Sequence, residues 1–297
     1  MSAASPDFGA DAPGTEWRAA IGLYPHTRAL RSGAITSNRL RLLFADLPNV
    51  NRAFAPMVRE SRYDVCEMAI ATYLQARAYG KPLVLLPVTL AARFQQSALL
   101  CVAGSDITGP ADLVNRRVGV RAYSQTTGMW LRGILQDEYG IEPPSIRWIT
   151  FEGAHVSEYQ DPPWAERAPG GKDLLGMLRA GELDAAIVGN DVPDDPGLRT
   201  VFPDVAASAE RFWDRHRFVP VNHLVTARRE HAEQRPDLVA ELVRMFRAAK
   251  TAAGEASPRD PYLIGQEAVQ PTVALALRYA EQQGLLPRRI TEADVWE

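Results

Sequence analysis

The sequence predicts a two-lobed α/β protein that holds a small molecule in the cleft between its lobes. Strand-like and helix-like runs alternate along the chain, a pattern that builds a largely parallel sheet covered on both faces. The same grammar restarts near Gly109, and an apolar run over residues 220–227 brings the chain back after the second unit. With 297 residues, 46% of them hydrophobic, the chain has enough apolar side chain for two cores.

The elements follow in order. Residues 1–15 are small, polar and Pro/Gly-containing and are expected to form a disordered leader, with order beginning near Glu16. Residues 17–23 are β-prone and end in a loop, Tyr24-Pro25-His26-Thr27-Arg28, that leads into a helix. Apolar spacing at Val50, Ala53, Phe54, Met57 and Val58 predicts a helix over 49–60; a strand over 63–67, a helix over 70–79 and a strand over 83–88 come next. The runs 97–102 and 220–227 are expected to be the two crossings between lobes. Residues 16–102 and 219–297 then form one discontinuous lobe and residues 103–218 the other. In the second unit Gly109-Pro110 opens a helix with proline in its first turn. Strands are expected over 117–121, 145–150 and 184–188, and a helix over 126–139. The Pro/Gly-rich stretch 152–171 is long enough to be a flap or mobile, and helices over 236–253 and 271–283 close the chain.

A net charge of −3, with arginines scattered among carboxylates, argues against nucleic acid as a partner. The N-terminus has neither a basic nor an apolar leader segment, so no secretory signal is expected and the cytoplasm is the expected location. No run has the length and apolarity of a membrane span. Cys66 and Cys101 lie in apolar runs and are expected to be buried free thiols. Dinucleotide, phosphate-loop, zinc-protease, C-x-x-C and nucleophile-elbow motifs are absent. The five histidines, His26, His155, His216, His223 and His231, show no metal-ligand spacing, so no metal site is expected. A homo-oligomer stays open.

What remains is a set of polar residues at strand ends and helix starts. Arg121-Ala122-Tyr123-Ser124-Gln125-Thr126-Thr127 follows a strand and opens a helix, so its free N–H groups and hydroxyls form a carboxylate site or, more simply, a helix cap. In the first strand-to-helix loop His26 is placed to donate a proton and Arg28 to clamp a carboxylate, the alternative being a solvated loop. Glu67 ends an otherwise buried strand and has a cleft role or a structural ion pair. His223 lies in an apolar strand, as a core or hinge histidine; Asn190 and Asp191 follow the 185–188 strand as turn residues or cleft groups.

Several of these stretches resemble the 4,5-dihydroxyphthalate decarboxylase family, a branch of the two-lobed periplasmic-binding-protein-like (type II) fold. The carrying residues are Tyr63-Asp64-Val65-Cys66-Glu67-Met68 with Tyr73-Leu74, Val118-Gly119-Val120 and, above all, the run from Trp130 to Ile141, W-L-R-G-I-L-Q-D-E-Y-G-I. Ile146-Arg147-Trp148, Gly181-Glu182-Leu183-Asp184-Ala185 and Arg278-Tyr279-Ala280 with Gln283-Gly284-Leu285 extend the match from about Trp17 onward. The resemblance implies a small aromatic carboxylate as substrate and decarboxylation without an organic cofactor. It implies cleft roles for Arg28, Glu67, Tyr73, Ser97, Thr126 and His223, with Gln96 beside the serine. The chain has Gln95-Gln96 where the family pattern has Arg-His, and Val269-Gln270 where it has Asn-Arg. The general acid of such a reaction is His26 or His223. A non-catalytic small-anion binding protein and another lyase on the same scaffold, similar to chorismate dehydratase, are the alternatives.

Overall fold

The computed structural model describes residues 14–189, 192–254 and 257–297. Most of the expected leader, residues 1–13, therefore lies outside the described residues, as do Asn190 and Asp191.

The first half of the chain forms β1 (Thr15–Ala20), α1 (Pro25–Arg31), β2 (Leu40–Phe44), α2 (Phe54–Glu60), β3 (Val65–Ala69), α3 (Ile70–Ala78), β4 (Leu83–Ala92), β5 (Leu99–Val102), β6 (Arg117–Val120) and α4 (Thr126–Tyr139). The second half continues with β7 (Arg147–Thr150), β8 (Ala165–Arg167), α5 (Leu174–Arg179), β9 (Ala185–Ile187), β10 (Leu198–Thr200), α6 (Val205–His216), β11 (Val221–Arg228), α7 (Arg229–Gln234), α8 (Pro236–Ala253), α9 (Gln266–Gln282) and α10 (Glu292–Trp296).

These strands make two sheets, ordered β2-β1-β3-β11-β4 and β10-β5-β9-β6-β7-β8. The chain passes from the first sheet to the second through residues 93–98 and returns through residues 217–220. Residues 99–102 therefore already belong to the second sheet, and residues 221–228 to the first, where bridging segments had been expected. Both sheets are mixed rather than largely parallel, and the crossings explain it. The chain leaves β4 and re-enters β11 at the same edge of the lobe, so the two strands run antiparallel; β5 enters the second sheet from that edge and opposes β9. The β3–β11 and β5–β10 pairs are antiparallel as well, whereas β1–β2, β1–β3, β6–β7, β6–β9 and β7–β8 are parallel. Their carboxyl ends consequently face the gap between the sheets, where open α/β sheets take ligands.

The first sheet buries one face, with Trp17, Val65, Val84 and Val225, against α1 and α8. Its other face, with Cys66, Met68 and Leu85, joins a core that runs on without interruption into the second lobe at Val118, Trp130 and Trp148. Helix α4 carries that continuity, and the 130–141 run is what fits it there. The Trp130 indole donates to Val221 O (2.8 Å), and Gly133 lies so close to the Tyr279 ring of α9 that a β-carbon would overlap it. Arg132 is completely buried: its Nε donates to Gln283 Oε1 (2.8 Å), its Nη2 to Tyr123 O (2.6 Å), and its guanidinium lies over the Tyr123 ring at 3.9 Å. Gly140 ends α4 with φ 67°, the left-handed turn that glycine adopts without a side-chain clash. Helix α9 begins at Gln266, five residues before the Pro271 start read from the sequence, and carries that proline inside it.

Candidate functional site

Two helix starts meet in the gap between the lobes. Helix α3 follows β3 directly and α4 follows β6 after a short loop; their N-cap residues, Ala69 and Gln125, supply no side-chain cap. The first N–H groups of each helix have no intrahelical acceptor, and the aligned peptide dipoles make this end of a helix attractive to anions. One donor is spent on holding the lobes together: Ala71 N–H donates to Thr126 Oγ1 (3.2 Å). Around these starts lies a cleft of about 1080 Å³. Ser124, Gln125, Thr126 and Thr127 line it, as the sequence led one to expect, together with Arg121. Gln125 brings a buried side-chain oxygen with no hydrogen-bond partner among the described residues.

On the first-lobe wall stands a hydrogen-bonded relay. Glu67 is fully buried in β3, and three groups converge on its carboxylate: Gly22 N–H (2.9 Å) and the Tyr24 hydroxyl (2.7 Å) donate to it, and His223 Nδ1 lies 2.7 Å from Oε1. Burial above all, then the Glu67 charge, raises the Tyr24 hydroxyl far above its ordinary pKa, so it stays a neutral donor. With Nδ1 held by the carboxylate, the other ring nitrogen of His223, Nε2, is left to the cleft that the ring lines. The Phe54 ring meets His223 edge-on at 5.1 Å. A smaller cavity of about 340 Å³, lined by Gly22, Tyr24 and Arg31, shares Asn49, Asn51 and His223 with the cleft.

The cleft is also lined by His155, from the stretch read as a flap. Its Nδ1 lies 2.9 Å from Thr72 Oγ1 of α3, and Arg59 donates to the carbonyls of His155 (2.8 Å) and Ala154 (3.0 Å). Lys81 pairs with Glu158 at 2.5 Å. The stretch is thus strapped to the first lobe, and its β8 pairs with β7. Burial, followed by the positive neighbours Arg121, Arg59 and His223, lowers the His155 pKa to about 4, so the ring is neutral at neutral pH. Cationic charge comes from Arg52, Arg121 and Lys172, set against Glu152 and Asp173. Arg121 is paired with Glu152 (2.7 Å) and Lys172 with Glu182 (2.7 Å), whereas Arg52 has no ion pair among the described residues.

Other sequence-predicted residues lie elsewhere. His26 and Arg28 are in α1, not in a loop, because Pro25 supplies the first helical position and the Thr27 hydroxyl accepts from Tyr24 N–H. His26 is buried, with Nε2 3.1 Å from Leu90 O and its ring stacked on Tyr262 at 3.9 Å; Arg28 is exposed, and neither lines the cleft. Tyr73 is fully buried on α3 and donates to Val295 O (2.6 Å), tying down α10. Tyr123 turns into the second-lobe core, where its hydroxyl accepts from Trp164 Nε1 (2.8 Å). Gln96 is buried in the first crossing, with Ser97 half-buried beside it, and neither lines the cleft. Their neighbour Gln95 is the one that reaches the site, donating Nε2 to Oδ1 of the cleft residue Asn222 (2.8 Å). Asn190 lies outside the described residues. His155, Arg52 and Asn222 are cleft residues that the sequence did not single out.

Both cysteines are buried and free. Among the described residues no group of three or more His, Cys, Asp or Glu is placed to hold a metal ion, and no helix is long and apolar enough to cross a membrane.

No family model matches the chain. Its sequence is 28% identical over 253 residues to the 4,5-dihydroxyphthalate decarboxylase of Comamonas testosteroni, covering 79% of this chain and 74% of that protein. It is likewise 28% identical over 176 residues to the Pseudomonas putida protein of the same name, covering 57% and 68%. The resemblance drawn from the 130–141 run is thereby borne out. Among solved structures the chain is similar to the periplasmic aliphatic sulphonate binding protein SsuA of Escherichia coli, with TM-score 0.59, 16% identity and 96% of each chain covered. The fold is the two-lobed periplasmic-binding-protein-like one.

Proposed function

From the sequence likeness to 4,5-dihydroxyphthalate decarboxylases, we propose that this chain is a decarboxylase acting on a hydroxylated aromatic carboxylate, 4,5-dihydroxyphthalate or a related acid. The observation that carries the reading is the relay of Tyr24, the buried Glu67 and His223 opening onto a cleft with two uncapped helix starts. An electron-rich ring loses CO2 once the carbon bearing the carboxylate has taken a proton. The carbon–carbon bond then breaks, its electrons restore the aromatic ring, and the acid regains its proton from water. His223 supplies the proton. In the doubly protonated ring Glu67 holds Nδ1–H, leaving Nε2–H as the proton that can be passed to the substrate; transfer leaves a neutral imidazole in its required tautomer. Tyr24 and Gly22 fix the carboxylate that fixes the imidazole. Arg52, Arg121 and the α4 start supply positive potential for the substrate carboxylates.

The alternative, a small-anion binding protein without catalysis, has the uncapped helix starts in its favour. The two readings separate in one assay. Purified protein is mixed with 4,5-dihydroxyphthalate and released CO2 is measured beside His223→Asn. Catalysed release that the variant loses supports the decarboxylase; tight binding with no release by the parent supports the binding protein.

A further inference from the structure

The 4,5-dihydroxy pattern of such a substrate demands a group in the cleft that grips hydroxyls rather than carboxylates. We propose, resting on the decarboxylase reading, that His155 is the residue that selects a hydroxylated ring, its Nε2 hydrogen-bonding a ring hydroxyl while His223 faces the carbon that is protonated.

Four observations carry this. First, His155 and His223 both line the cleft and both stand edge-on to the same Phe54 ring, at 5.7 Å and 5.1 Å between centroids, so an aromatic ring lying over Phe54 is within reach of both imidazoles. Second, Thr72 Oγ1 occupies Nδ1 of His155 at 2.9 Å, and no described residue takes Nε2. Third, the position is built: Arg59 clamps the backbone at Ala154 and His155, fixing the imidazole from the first lobe although the segment belongs to the second. Fourth, a ring kept neutral by burial and by Arg121, Arg59 and His223 is suited to a phenol. It exchanges one hydrogen bond with a hydroxyl and does not compete with Arg52 or Arg121 for the carboxylates. Through Thr72 it accepts from the hydroxyl or donates to it, according to the way the threonine proton points. His155 is therefore a specificity-determining residue, and His223 the acid.

The test is a ligand cycle read by calorimetry in the His223→Asn background, which suppresses turnover. The ligands are 4,5-dihydroxyphthalate and phthalate, which differ only in the hydroxyls. With His155 present the dihydroxy ligand is expected to bind about three- to tenfold more tightly, the worth of one net hydrogen bond. In His155→Phe, which keeps a ring but no polar atom, that preference is expected to vanish while phthalate affinity changes less than twofold. His155→Gln, which keeps a donor and an acceptor, is expected to restore part of it. A preference left intact in His155→Phe, or an equal loss for both ligands, overturns the assignment. Parent protein that shows the preference yet releases no CO2 overturns the decarboxylase reading alone. Parent protein that binds neither ligand overturns both.

Discussion

Glu67 and His223, 156 positions apart in the chain, touch because β11 lies antiparallel on β3 with His223 opposite Ala69 and Val225 opposite Glu67. Residues 67 and 69 share one face of their strand and 223 and 225 one face of theirs, so the imidazole leans diagonally onto the carboxylate. The geometry gives the two residues different parts. His223→Asn is expected to lower turnover ~100- to 10,000-fold, as for loss of a general acid. Glu67→Gln, which keeps the shape but not the charge, is expected to lower kcat with KM little changed. Steady-state CO2 release checks both, and a Glu67→Gln enzyme with unaltered kcat would remove the relay from the mechanism.

His26 and Arg28 are expected to behave oppositely although they are two residues apart. His26→Ala takes away a buried ring bonded to Leu90 O and stacked on Tyr262, and should cost about 1–3 kcal/mol of stability. Arg28→Ala, on an exposed position, should stay within about 0.5 kcal/mol. Urea denaturation of the two variants measures this; equal effects would contradict the placement of α1.

His155 makes stability pH-dependent in a defined window. Its pKa is about 4 in the folded chain against 6.5 as the ordinary value. Between these values the unfolded chain holds the extra proton, so stability falls as pH drops from 6.5 toward 4, and the group has no effect above 6.5. The full effect is no more than about 3 kcal/mol. Denaturation midpoints taken from pH 7.5 down to 4.5 should therefore slope less steeply in His155→Gln than in the parent; parallel slopes would show that burial and the neighbours Arg121, Arg59 and His223 do not lower the pKa of this ring.

Arg132 and Gln283 join the second lobe to the first through a fully buried bond. Either Arg132→Ala or Gln283→Ala breaks it, and the arginine variant also empties the space between Tyr123 and Trp148; a loss on the order of 3 kcal/mol is expected for Arg132→Ala. Because the core is continuous across the lobes, calorimetry should show one transition, shifted down. Two separated transitions in the parent would mean that the lobes unfold independently.

The sequence made the second-lobe part of the site legible for a local reason: strand 117–121, the polar run 124–127 and helix 126–139 are consecutive, so strand end, anion-prone loop and helix start can be read in one window. The first-lobe part depends on register between strands far apart in the chain, and nothing within 65–69 or 221–228 announces that residues 67 and 223 meet. His26 lies in a helix rather than the expected loop, since Pro25 is a helix-start signal. His155 sits in an irregular stretch, where periodicity has nothing to say and only the clamp by Arg59 and Thr72 gives it a place. Gln96 followed the family pattern to a buried position in the crossing, one residue from the glutamine that reaches the cleft residue Asn222.

The position of β11 between β3 and β4 also bears on how the chain comes to be folded. Residues 99–219 can pair their own strands as soon as they are made, since β5 to β10 are contiguous in sequence. The first sheet cannot: β3 and β4 stay unpaired with one another until residues 221–228 arrive to fill the gap. Those long-range contacts are the slow ones to form, and an open gap between two apolar strands is a surface that invites misassociation while synthesis continues. The strand that closes the gap is the one that carries His223. The last strand to complete the sheet is thus the one that brings His223 onto Glu67, so the relay is assembled only when the first sheet closes.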